Sequence, residues 1–162
     1  MKSIVIYATR TGNTGRVAAA IATVLSAYGD VELKTADQVD GTLPPADLVV
    51  VGGPTEGHGV HPALASLLDR LGPAGFAGRA FAAFDTRVAW PHWLSGSAAS
   101  KIRQRAEKAG GRLIGPEHSC IVSMKPELAP GEEQRAAAWA ASVAHHAEAR
   151  MRLPAAESVS VS

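Results

Sequence analysis

The stretch Thr9-Arg10-Thr11-Gly12-Asn13-Thr14 gathers three hydroxyls, a carboxamide and a glycine between the apolar run Ser3-Ile4-Val5-Ile6-Tyr7-Ala8 and a helical pattern that opens near Gly15. Two readings are open for it. Thr and Asn are ordinary turn and helix-capping residues, so the loop caps the helix. Alternatively it holds an anion: the helix dipole and unpaired amides favour negative charge, and the hydroxyls and the Asn13 side chain add donors. Gly12 would let the backbone approach such an anion with no side chain between.

Other phosphate motifs are excluded by spacing. Two glycines four apart followed by Lys-Ser/Thr are absent, and so is Gly-x-Gly-x-x-Gly after the first apolar run. A phosphatase loop would need a cysteine there, yet Cys120 is remote; a receiver domain would need acids where Ala8 and Thr9 stand. Lys125 is then a lone coincidence.

Two further stretches carry groups able to do chemistry. Pro54-Thr55-Glu56-Gly57-His58-Gly59 is glycine-rich, and Asp85-Thr86-Arg87 leads into a segment holding Trp90 and Trp93, two of the chain's three tryptophans. His58, His61 and His92 are conceivable metal ligands, but no cysteine or supporting partner can be identified beside them, and no metal site is expected. A hydrolase built on Glu56 and His58 lacks a nucleophile.

The elements that must position these groups follow from periodicity. Short apolar runs alternate with helical patterns, the signature of parallel βαβ units. The strands are read at residues 4–7, 31–36 (half-polar, an edge strand), 48–53 and 79–86; the last is two pieces, 112–114 and 119–122, kinked by Gly115-Pro116. Helices are expected after Gly15, from Pro62 through Leu64, Leu67, Leu68 and Leu71, from about Gly96 to Ala109, and along Ala136, Trp139, Ala140, Val143 and Ala147. Trp139 is read as core. Such a chain forms a three-layer α/β fold with a parallel sheet and binds ligands beyond the C-terminal strand ends, where residues 9–14, 54–61 and 85–95 meet.

With 162 residues, 46% of them hydrophobic and 19% charged, the chain suits one soluble domain, assigned to 1–149, with 150–162 as a disordered tail. Sixteen basic against fifteen acidic residues leave a formal charge of +1, so neither nucleic acid nor an anionic membrane is indicated as a partner. No apolar run approaches the roughly 18 residues of a membrane span, the start does not read as a signal peptide, and one cysteine forms no internal disulfide; a cytoplasmic location is expected.

Thr9, Thr11, Gly12 and Thr14, with Asn13 a common occupant, match the Thr/Ser-x-Thr-Gly-x-Thr phosphate loop of the flavodoxin family, which the chain resembles over roughly residues 2–148. The resemblance implies a five-stranded parallel sheet ordered 2-1-3-4-5, a bound FMN, and electron transfer with a redox partner protein or small electron acceptor. It also implies that the second loop borders flavin N5, where a glycine peptide, Gly57 or in another register Gly59, turns its carbonyl to the proton gained on reduction, with His58 against the ring. In the third loop, Trp90 or Trp93 stacks on the ring, the backbone amides of residues 85–87 reach flavin O2, and Arg87 stabilises charge at N1 and O2 or projects into solvent. Arg10, which the family's loop does not need, points outward. This chain departs from the family in lacking its usual acidic charge and its Gly-Asp…Tyr third loop. An alternative is therefore a flavodoxin-fold binding module without redox chemistry, holding another phosphate ligand or none.

Overall fold

The computed structural model describes residues 1–125 and 127–153. In chain order the elements are β1 (Ser3–Tyr7), α1 (Asn13–Leu25), β2 (Val31–Thr35), β3 (Leu48–Glu56), β4 (Gly59–Val60), α2 (Pro62–Phe76), β5 (Ala80–Val88), α3 (His92–Ser95), α4 (Ala98–Lys108), β6 (Arg112–Leu113), β7 (His118–Val122) and α5 (Glu132–Arg152). Three-residue 3-10 turns follow α1 and β2.

Among the described residues the sheet order is β2-β1-β3-β5-β6, with β7 continuing alongside β5 and β4 folded antiparallel onto β3. With the short β4 set aside and β6 and β7 taken as one interrupted strand, this is the expected parallel order 2-1-3-4-5. The interruption falls at Gly115-Pro116, because proline has no N–H for a ladder; the Pro116 carbonyl instead accepts from Trp139 Nε1 at 2.9 Å. Half-polar β2 lies at the edge.

Alternation along the buried strands builds two cores. Ile4, Ile6, Val49, Val51, Phe81 and Ala83 face α2 and α4, while Val5, Leu48, Val50, Ala82 and Phe84 face α1 and α5. Each fully buried Val, Leu, Ile or Phe among them contributes about 1.5–3 kcal/mol, so the sheet is a rigid base for what projects from its ends. Trp139 packs in the second core against Phe84 and stacks on His118, as a core residue should.

Three boundaries differ from the sequence reading. β3 runs to Glu56 rather than Gly53 because β4 pairs with its end, and β5 runs to Val88 because β7 pairs with it through Val122. α5 continues through Arg152, three residues into the expected tail; residues 154–162 lie outside the described residues.

Candidate functional site

β1, β3, β5 and β7 are neighbours, so their C-terminal ends deliver one edge of the sheet. At the end of β1, Ala8 N still donates to Gly52 O at 3.1 Å; the chain then turns, with Gly12 N donating to Thr9 Oγ1 at 3.0 Å. Gly12 sits at φ 89°, a left-handed position that favours glycine, and a Cβ there would meet open space. The first helical bond of α1 is Arg16 N to Gly12 O. The N-cap residue is Gly12, which gives the helix no side-chain cap, and the first turn has no acid. Thr9 takes the Gly12 amide, while the N-cap position itself offers no side chain, so the positive end of α1 favours an anion.

The loop hydroxyls are held without being exhausted. Thr11 Oγ1 accepts from Asn13 Nδ2 at 3.1 Å, which leaves its own proton to donate. Thr14 is buried, with its Oγ1 2.8 Å from Thr86 Oγ1, so the loop is tied to β5. Arg10 departs from expectation: its side chain is 74% exposed but reaches Glu56 across the site in an ion pair of 3.5 Å.

The second stretch is a hairpin rather than an open loop. Thr55 pairs with Val60 and Glu56 with Gly59, and Gly57 (φ 49°) and His58 (φ 67°) form the two-residue turn. Positive φ at both central residues is the primed turn that matches strand twist. For His58 that backbone costs roughly 1–2 kcal/mol. Gly96 closes against the tip, where a Cβ would come within 2.9 Å of His58 Cα.

Asp85, Thr86 and Arg87 lie inside β5, paired with Ser119, Cys120 and Ile121 of β7, so the sheet occupies the backbone expected to serve a ligand. Asp85 is 0% exposed and turns towards α4. Its Oδ2 accepts from Ser97 Oγ (2.7 Å), Ala99 N (3.0 Å) and Thr55 Oγ1 (3.2 Å). Arg87 is also turned to the protein: Nη1 donates to Trp90 O at 2.9 Å and Nη2 lies 3.0 Å from His92 Nε2, while buried Nε has no partner. His61 Nδ1 accepts from Ala63 N at the start of α2, so these two histidines have structural partners. Cys120 is buried in the second core, where loss of solvation pushes its thiol up to about 12.

Between these supports lies a cavity of about 340 Å³ lined by Arg10, Thr11 and residues 54–57, 86–88 and 122–124. Its volume suits a small-molecule site. Residues 122–124 were not anticipated; their signal is the position of Cys120 in a strand that must end beside β5. His58, Gly59, Trp90 and Trp93 do not line the cavity, and the two tryptophans are 46% and 82% exposed.

The sequence matches the family model for flavodoxin over residues 5–139. The chain belongs to the flavodoxin family. Flavodoxins bind FMN, and the site suits it: a helix end without a side-chain cap, with hydroxyls for a phosphate, adjoins a cavity lined by the Arg87 cation. Among solved structures, this flavodoxin is similar to one from the domain Archaea (23% identity, TM-score 0.76, covering 91% of this chain and 99% of that one). It is also similar to flavodoxin 1 from Bacillus cereus (18%, TM-score 0.77, 90% and 99%). Rubredoxin oxygen:oxidoreductase from Desulfovibrio gigas is matched over 94% of this chain but 37% of its own (16%, TM-score 0.76). At these identities the likeness is one of fold. No curated protein matches the sequence, and among the described residues no helix is long and apolar enough to cross a membrane.

Proposed function

We propose that the chain holds FMN at the shared C-terminal edge of β1, β3, β5 and β7 and passes electrons to a redox partner protein or small acceptor, in a cytoplasmic setting. The observation that carries this reading is the pairing of an acid-free α1 N-terminus, without a side-chain cap, with the adjoining cavity. Bound FMN supplies one- and two-electron redox chemistry.

The chain's own residues do the rest. The first-turn amides of α1 with the Thr9, Thr11, Asn13 and Thr14 side chains bind the phosphate, and Gly12 keeps the approach clear. Arg87 lines the cavity, and its positive charge is the group that stabilises negative charge at the N1 and O2 edge of the ring. Gly57 lines the cavity and Gly59 does not, so the Gly57 carbonyl is assigned to hold the proton at N5. Val88 and Met124, which also line the cavity, give the ring its apolar contact in place of a stacked tryptophan.

The visible spectrum of the purified protein tests this, recorded as isolated and after FMN is added and excess removed. Flavin bands that stay with the protein are expected. Their absence in both samples overturns the reading and leaves the module that holds another phosphate ligand.

A further inference from the structure

We propose that Asp85 is a positioning residue of the FMN site, clamping the β3–β4 hairpin to the N-terminus of α4 and setting the potential of the bound flavin without touching it. The proposal rests on the FMN reading above.

The clamp joins groups far apart in sequence. Thr55 Oγ1 donates to Asp85 Oδ2 at 3.2 Å and accepts from Ala98 N at 2.9 Å, while Asp85 Oδ2 takes Ala99 N and Ser97 Oγ. The first two amides of α4 are thus capped by a hydroxyl from β3 and a carboxylate from β5, an arrangement that fixes three elements at once. Thr55 lines the cavity and stands two residues before Gly57; Gly96, next to Ser97, closes on His58. Asp85 therefore governs both supports of the hairpin tip.

The donor set explains why an acid stands here. Ser97 and Ala99 both donate, and an ionised carboxylate accepts without bringing a donor of its own. An asparagine would bring an N–H₂ group into a pocket where Asp85 Oδ1 already lacks a partner. A buried carboxylate carries a desolvation cost, and an apolar side chain would fill a core position with less penalty. No basic side chain pairs with Asp85 among the described residues. Its negative charge lies one hydrogen bond from a residue lining the cavity, where it opposes the addition of electrons.

The test uses the full FMN-loaded chain and the variants Asp85→Asn, Thr55→Val and Thr55→Ser. Asp85→Asn should shift the flavin midpoint potential to more positive values. Thr55→Val, which removes both the hydrogen bond to Asp85 and the one from Ala98 N, should weaken FMN about tenfold or more and speed hydrogen exchange at residues 56–58; Thr55→Ser should recover most of that loss. If Asp85→Asn fails to fold, the two Thr55 variants still decide the matter. Variants that lose thermal stability while potential, FMN affinity and hairpin exchange stay at wild-type values overturn the proposal. A wild-type chain that binds no FMN overturns the underlying reading instead.

Discussion

Replacing Thr11 by alanine and Thr14 by valine separates a phosphate loop from a merely well-ordered turn. Thr11 is exposed, and its hydroxyl accepts from Asn13 Nδ2, so its loss costs the ligand-free fold little. Thr14 is buried and its hydroxyl meets Thr86 Oγ1 at 2.8 Å; valine keeps the shape but strands that partner, at about 1–3 kcal/mol. A domain stable by about 5–15 kcal/mol remains folded after such a loss. Two hydroxyls donating to a phosphate dianion are worth about 1.5–3 kcal/mol each, and even at partial additivity a loss near 3 kcal/mol weakens FMN about a hundredfold. Riboflavin has the same ring and no phosphate. In fluorescence titrations of the apoprotein, FMN should lose about a hundredfold in affinity and riboflavin less than about tenfold. Equal losses for both flavins would refute the assignment, because they would mean that the hydroxyls order the site without touching a phosphate.

Two other outcomes follow from side-chain environment. His118 is held below its usual pKa of 6.5, first by burial and then by Arg135, against the opposing charges of Glu132 and Asp85. The unfolded chain then binds the proton more readily, so stability is full above about pH 6.5 and falls as pH drops towards the lowered folded value; urea midpoints at about pH 7.5 and 5.5 should differ, and His118→Phe, which keeps the stack on Trp139, should narrow the difference. Trp93 is 82% exposed and does not line the cavity, so Trp93→Ala should leave FMN affinity within about twofold of wild type; a tenfold loss by fluorescence titration would return this side chain to the ring.

The parts of the site legible in the sequence are those made by neighbours in the chain. The turn at residues 9–14 closes on its own hydroxyl, Thr9 to Gly12, and its helix starts at once, so composition and spacing suffice. The strand order followed in the same way, from apolar runs that must be covered on both faces. The hairpin was missed because β4 is two residues long and its turn reads Gly-His rather than Asn-Gly, leaving too little period to detect. Asp85 looked like a ligand-facing loop residue because its partners Thr55, Ser97 and Ala99 lie 30, 12 and 14 residues away. Which way a side chain leaves a strand end is decided by those partners, and for Trp90 and Trp93, which are exposed and do not line the cavity, the sequence carries no such signal.

Contacts distant in sequence also fix how the walls of the cavity are held. The phosphate loop is anchored to β5 through Thr14 and Thr86, and the hairpin to α4 through Thr55 and Asp85, each by buried or partly buried hydrogen bonds. Arg10 and Glu56, which both line the cavity, bridge the two at 3.5 Å, and the Glu56 oxygen in that pair has no hydrogen-bond partner among the described residues. Arg10 is 74% exposed, so solvent screens a pair of that length and it contributes less than the buried anchors. The phosphate loop and the hairpin are therefore held by their own hydrogen bonds to β5 and α4, and neither depends on the ion pair for its shape.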